Sequence, residues 1–174
     1  YLVNLVKINS VKTKKDIDLL IYNRNYSVKN NFLRNKLLKN LMKMNYKIFV
    51  VGDNLNLKKF KNLGFIDRKK IIYFLKKSKF IINSGENPYN IFTIDAFNNH
   101  VNIIYEHSYK KKIKYFNKEK LIFINFEKIK KIKKLPLFKK NKNSRITKNL
   151  QKLTNDNKFY FKNVNINYTK IKFN

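Results

Sequence analysis

Along residues 17–126, short apolar runs rich in β-branched and aromatic residues alternate with stretches of helical spacing, and most runs stop at Gly, Asn or Asp. Few folds accept that pattern. Residues 17–22 (Ile-Asp-Leu-Leu-Ile-Tyr) have the length and composition of a buried strand, and polar Asn23-Arg24-Asn25 ends them. Phe32, Leu33, Leu37, Leu38, Leu41 and Met44 then recur at helical spacing, giving one apolar face over residues 32–44. Residues 46–51 read as a second strand closed by Gly52-Asp53-Asn54. A strand–helix–strand crossover of this length suits parallel neighbours. The alternation continues with a short strand over 60–66 that ends in Leu63-Gly64-Phe65-Ile66, a helix over 71–78 that Asp67 can cap, and a strand at 80–83. A helix beginning over 91–97 and strands at 101–105 and 121–126 complete it. The expected fold is an α/β, Rossmann-like open parallel sheet with helices on both faces.

The organisation follows from the same pass. Residues 1–16 are polar and basic, a lead-in or interdomain linker, and 17–127 form the folded domain. Residues 128–174 form a basic C-terminal tail with helix signal over 146–153, and Asp156 is the only acidic residue beyond Glu127. The tail reads more readily as a solvated helical extension than as a dedicated binding patch.

A formal net charge of +31 points toward anionic partners. Yet only Arg24, Arg34, Arg68 and Arg145 are arginine, whereas Lys, Asn, Ile, Phe and Tyr abound. Those residues have the codons richest in A and T, so an AT-rich genome accounts for much of the lysine. Nucleic-acid readers lean on arginine for bidentate contacts. With no cysteine there is neither a disulfide framework nor a thiolate metal site, and two histidines make no zinc constellation. No apolar run is long enough to span a bilayer, and no signal peptide is visible. The expected location is the cytoplasm, with the charge favouring peripheral contact with an anionic inner membrane face.

Ligands of open parallel sheets bind beyond the carboxyl ends of the strands, and three loops lie there. The first carries Arg24 and Lys29, two cations able to grip a diphosphate beside a helix N-terminus, although Lys29 could equally be solvated. The second is Val50-Val51-Gly52-Asp53, where Gly52 serves a sharp turn that need be no more than structural. The third runs from Asn83 through Ser84-Gly85-Glu86-Asn87-Pro88 into a helix bearing Asp95. Its carboxylates, Glu86 and Asp95, can accept hydrogen bonds from sugar hydroxyls or simply complement the helix N-terminus.

Taken together, residues 17–127 resemble the C-terminal domain of the group 1 (GT-B fold) glycosyltransferases. That family's first loop reads G-R-x-x-x-x-K-G, and Asn23-Arg24 through Lys29-Asn30 keeps the Arg-to-Lys spacing with Asn in place of both glycines. Val50-Val51-Gly52 is similar to its next strand end, and Leu63-Gly64-Phe65-Ile66 to the strand whose backbone faces the base. Asn87-Pro88-Tyr89-Asn90-Ile91 and Asp95-Ala96 are similar to the family's E-P-F-G-L and E-A, with Glu86 one place early for the first glutamate.

The resemblance implies that Arg24 and Lys29 hold the donor diphosphate and Asp95 the ribose. Gly52, Phe65, Ile66, Glu86, Asn87, Asn90 and Ile91 would then line the nucleotide and sugar site. It further implies sugar transfer from a UDP- or GDP-sugar to a glycan or lipid-linked acceptor, in cell-surface polysaccharide or lipopolysaccharide synthesis. The chain is expected to be one half of a GT-B architecture, the acceptor site and much of the catalytic machinery lying in an N-terminal Rossmann-like domain outside this sequence. No cofactor and no metal are expected, because Arg, Lys and a helix N-terminus neutralise the leaving diphosphate. Two other readings are a basic nucleic-acid-binding protein and a degenerate, non-catalytic Rossmann-like binding domain, which the Asn87 and Asn90 departures would suit.

Overall fold

The computed structural model of the chain describes residues 13–24, 35–83, 87–114, 116 and 121–126. Within them run β1 (Ile17–Asn23), α1 (Asn35–Lys43), β2 (Ile48–Gly52), β3 (Lys61–Asn62), α2 (Arg68–Lys77) and β4 (Ser78–Ile82). Then follow α3 (Ile91–Asn98), β5 (Asn102–Glu106), a 3-10 helix (His107–Lys111) and β6 (Leu121–Ile124). The six strands form one sheet in the order β3-β2-β1-β4-β5-β6, and every pairing is parallel.

Side-chain alternation along the strands divides the core in two. Leu20, Phe49, Val51, Ile81 and Ile103 point to the face covered by α2 and α3, where Leu75, Phe92 and Phe97 meet them. Leu19, Ile21, Val50, Ile82 and Ile104 point to the face that α1 covers with Leu37, Leu38 and Leu41. The segments that step from β1 to β2 and from β2 to β3 pack on the α1 face. Those that step the other way, through β4, β5 and β6, pack on the α2–α3 face. Crossovers of uniform hand produce this division. The expected open parallel sheet with helices on both faces is the fold observed.

Several boundaries differ from the sequence reading. The third strand, Lys61–Asn62, falls within the expected 60–66 but stops short of its apolar end at Leu63–Ile66. The ladder ends when Leu63 donates to the Val50 carbonyl (2.8 Å) and Gly52 donates to the Gly64 carbonyl (2.9 Å). Gly64, at φ +66°, then turns the chain away. β2 begins at Ile48 rather than residue 46; the Lys47 carbonyl accepts from the Asp18 (3.1 Å) and Leu19 (3.3 Å) amides of β1, while its own amide donates to the Asp18 carboxylate (2.9 Å). α2 passes into β4 with no connecting residue, so Ser78 opens the strand and its hydroxyl donates back to the Phe74 carbonyl (2.7 Å). α1 is described from Asn35, so its expected start at residue 32 lies outside the described residues, as do the lead-in before residue 13 and the tail.

Candidate functional site at the β1–β4 switch point

β1 and β4 are neighbours whose chain connections leave in opposite directions, so their carboxyl ends form the topological switch point of the sheet. In open parallel sheets this is where a ligand crevice opens. α2 packs over β1 and against α3, which covers β5, so the two helices meet beside the same pair of strands.

Four aromatic and cationic side chains meet at the mouth. Tyr22, near the end of β1, stacks on Phe92 of α3 with ring centroids 5.3 Å apart and planes 25° apart. Arg24 follows directly, its Nε donating to the Tyr22 hydroxyl (2.9 Å) and its guanidinium carbon lying 5.0 Å from the Phe65 ring centroid. Phe65 is 65% exposed, so this cation–π contact faces solvent. Ile66 packs partly into the α2–α3 core, and Ile91 at the start of α3 is exposed.

Below the mouth, Arg68 and Asp95 join α2 to α3. The Arg68 Nε donates to one carboxylate oxygen of Asp95 (2.9 Å) and an Nη to the other (2.7 Å), a bidentate fork. The Asp95 side chain is only 6% exposed, while that of Arg68 is 50% exposed. The hydrogen bond to Asp95, which outweighs partial burial, pushes the Arg68 guanidinium further up. Arg68 exists here because Asp67 caps α2, accepting from the Lys70 amide (2.8 Å) and fixing where the helix begins.

The β4–α3 loop is held by its own asparagines. The buried Asn83 amide donates to the Asn87 carbonyl (3.2 Å) and the Thr93 hydroxyl (2.9 Å). Asn90 caps α3, accepting from the Thr93 amide (2.8 Å) and hydroxyl (2.9 Å). Asn87 accepts from the Tyr89 amide (2.8 Å). Tyr105 donates to the Pro88 carbonyl (2.6 Å), and burial pushes its phenol far up, so it stays a donor. Where the resembled family has a glycine, Asn90 thus supplies a helix cap; Asn87 supplies a turn.

Gly52 has a structural task. Its φ is +96°, and a Cβ there would stand 2.1 Å from the Asn23 carbonyl oxygen. That carbonyl accepts from the Asp53 amide (3.0 Å), and the Asn23 side chain returns a bond to the Asp53 carbonyl (2.9 Å). Asn23, at the position of a family glycine, therefore staples the ends of β1 and β2 together.

Of the residues singled out in the sequence, Arg24 and Phe65 come together at the mouth, with Asp95 one helical turn beyond the Phe92 ring. Asn87 and Asn90 shape the loop beside them, whereas Gly52 is taken up by the β1–β2 junction. Lys29 and Glu86 lie outside the described residues. Tyr22, Arg68, Asn83 and Phe92 were missed. Arg68 left one signal, an arginine in a lysine-rich chain immediately after a capping aspartate. Among the described residues no group of three or more His, Cys, Asp or Glu side chains could hold a metal ion, and no helix is long and apolar enough to cross a membrane.

No protein-family model matches the chain, and no curated protein matches it either. Among solved structures it is similar to the UDP-GlcNAc 2-epimerase from Methanocaldococcus jannaschii, with 12% identity and a TM-score of 0.46. That likeness covers 84% of this chain and 46% of the other, so the chain spans about half the length of the solved structure it matches. A similarity at that level concerns the course of the backbone and carries nothing about chemistry.

Proposed function

We propose that this chain is the donor-nucleotide-binding domain of a glycosyl-transfer enzyme, taking a UDP- or GDP-sugar at the β1–β4 switch point. The observation that carries the reading is the placement of Arg24 at the carboxyl end of β1, held by Tyr22 and stacked on Phe65. A cation set in place this way costs less to order around a diphosphate than a solvated lysine does. Its planar fork can also grip two oxygens together. The motif order over residues 17–127 supplies the remaining support.

In this reading Arg24 and Lys29 hold the diphosphate, Phe65 and Ile66 border the base, and Glu86, Asn87, Asn90, Ile91 and Asp95 belong to the sugar-nucleotide side of the crevice. A second Rossmann-like domain contributes the acceptor site for a glycan or lipid-linked substrate. The basic surface favours peripheral contact with an anionic membrane where such acceptors reside.

The test is calorimetric titration of UDP, GDP, the matching nucleosides and a random oligonucleotide at physiological salt. Diphosphates should bind more tightly than nucleosides. That advantage should shrink in Arg24→Ala, Arg24→Lys and Lys29→Ala, with Arg24→Lys nearly as damaging as Arg24→Ala. Lysine changes in segment 128–142 should do little. Equal losses from tail variants would reduce the attraction to the diffuse field of a highly charged chain. Tighter binding of the oligonucleotide would favour a nucleic-acid partner.

A further inference from the structure

We infer that Arg68 is a ligand-contacting cation of this crevice and that Asp95 is its positioning residue rather than a ribose acceptor. The inference rests on the nucleotide-binding reading and deepens it.

Both oxygens of Asp95 are already engaged by the Arg68 fork, at 2.9 and 2.7 Å. With the Asp95 side chain 6% exposed, a sugar diol reaches it only by displacing the guanidinium. That exchange is unfavourable. Hydroxyls are neutral donors, so their bonds to the carboxylate bring neither the opposite charge nor the bidentate fork geometry of the guanidinium. The displaced arrangement would also leave a buried carboxylate without its counter-ion.

From the solvent side the accessible partner is Arg68, whose side chain is half exposed. A guanidinium carries five N–H donors, of which the fork to Asp95 uses two. The remaining donors stay in a fixed plane because the carboxylate holds the other edge. A ligand phosphate can then bind without breaking the ion pair and without ordering a loose side chain. The location agrees. Arg68 opens α2 three residues after Phe65, over whose ring Arg24 lies at 5.0 Å, so both arginines border one short junction between β3 and α2. The ligand chemistry is a phosphate or diphosphate group.

The experiment titrates UDP, 2′,3′-dideoxy-UDP, uridine and inorganic pyrophosphate into the wild type, Arg68→Lys, Arg68→Gln, Asp95→Asn and the double variant Arg68→Gln/Asp95→Asn. Arg68→Lys keeps a cation beside Asp95 and so preserves the fold while losing the fork. It should weaken UDP and pyrophosphate about tenfold and leave uridine unchanged. Asp95→Asn should weaken UDP in the wild type but add nothing in the Arg68→Gln background, as expected when one residue acts through another. The ratio of UDP to dideoxy-UDP affinity should not change in Asp95→Asn.

Loss of that discrimination in Asp95→Asn would overturn the inference, as would Arg68→Lys binding pyrophosphate like the wild type. The wider reading fails differently. If the wild type binds pyrophosphate through Arg68 yet gains nothing from the nucleoside, the phosphate site stands and the nucleotide function falls. Binding of neither pyrophosphate nor UDP by the wild type would overturn both.

Discussion

Replacing Gly52 with Ala places a methyl carbon 2.1 Å from the backbone oxygen of Asn23, a contact that no rotamer change can relieve. Two costs add. An L residue at φ +96° sits in the left-handed region, worth about 1–2 kcal/mol against glycine. Relieving the contact then means opening the β1–β2 junction, where the Asp53 amide bonds to Asn23 and the Asn23 side chain bonds to Asp53, at 3.0 and 2.9 Å. Each such bond contributes about 0.5–1.5 kcal/mol net. The expected destabilisation is therefore about 2–5 kcal/mol, a large part of the roughly 5–15 kcal/mol that holds a domain folded. Gly64→Ala is the matched control, because its φ is +66° but no atom lies within 4 Å of a Cβ built there. Only the backbone cost of about 1–2 kcal/mol applies to it. Urea unfolding followed by far-ultraviolet circular dichroism measures both, provided the slopes agree so that midpoints report stability. A Gly52→Ala stability within about 1 kcal/mol of the wild type, or an equal cost for Gly64→Ala, would refute the clash with the Asn23 carbonyl as the cause.

Three further outcomes are expected. Asn90→Ala removes the cap that accepts from the Thr93 amide and should lower stability by about 1 kcal/mol, while Asn90→Gly should cost only a few tenths, both read as urea midpoints. Burial would raise the Asp18 carboxyl, but the Lys79 ammonium at 2.6 Å, helped by the Lys47 amide and charge, holds it below its ordinary 3.8. A lowered folded value means that its stabilisation is present above pH 3.8 and is lost as pH falls through the folded value. Asp18→Asn should thus cost on the order of 1 kcal/mol at neutral pH and show a shallower acid decline, without touching nucleotide affinity. Phe65→Ala, at a site 65% exposed, should leave the unfolding midpoint within about 0.5 kcal/mol of the wild type while weakening nucleotide binding, since Arg24 loses the ring it stacks on. Unchanged affinity would take Phe65 out of the site.

How much of this was legible in the sequence depends on the range of the forces involved. Strand parity is local, so the assignment of Leu19 and Ile21 to one face and Leu20 to the other follows from the apolar pattern of β1. Capping is local too, and Asp67 sits where the spacing of Ile71, Phe74 and Leu75 requires it. The parallel sheet follows from crossovers of that length. Other features needed the packed molecule. β3 keeps only Lys61–Asn62 of the expected 60–66, because its extent is set by what β2 offers across the ladder, not by the apolar residues that follow. Gly52 looked like a generic turn glycine until β1 brought the Asn23 carbonyl against it. Asp95 carried the look of a ligand carboxylate. Its partner, Arg68, is 27 residues away in sequence and meets it only because α2, over β1, packs against α3, over β5. Tyr22 and Phe92 likewise stack only once the strand order is fixed. Periodicity and caps are written in neighbouring residues. The pairing of two helices across a sheet depends on topology, which a hydrophobic pattern constrains but does not spell out.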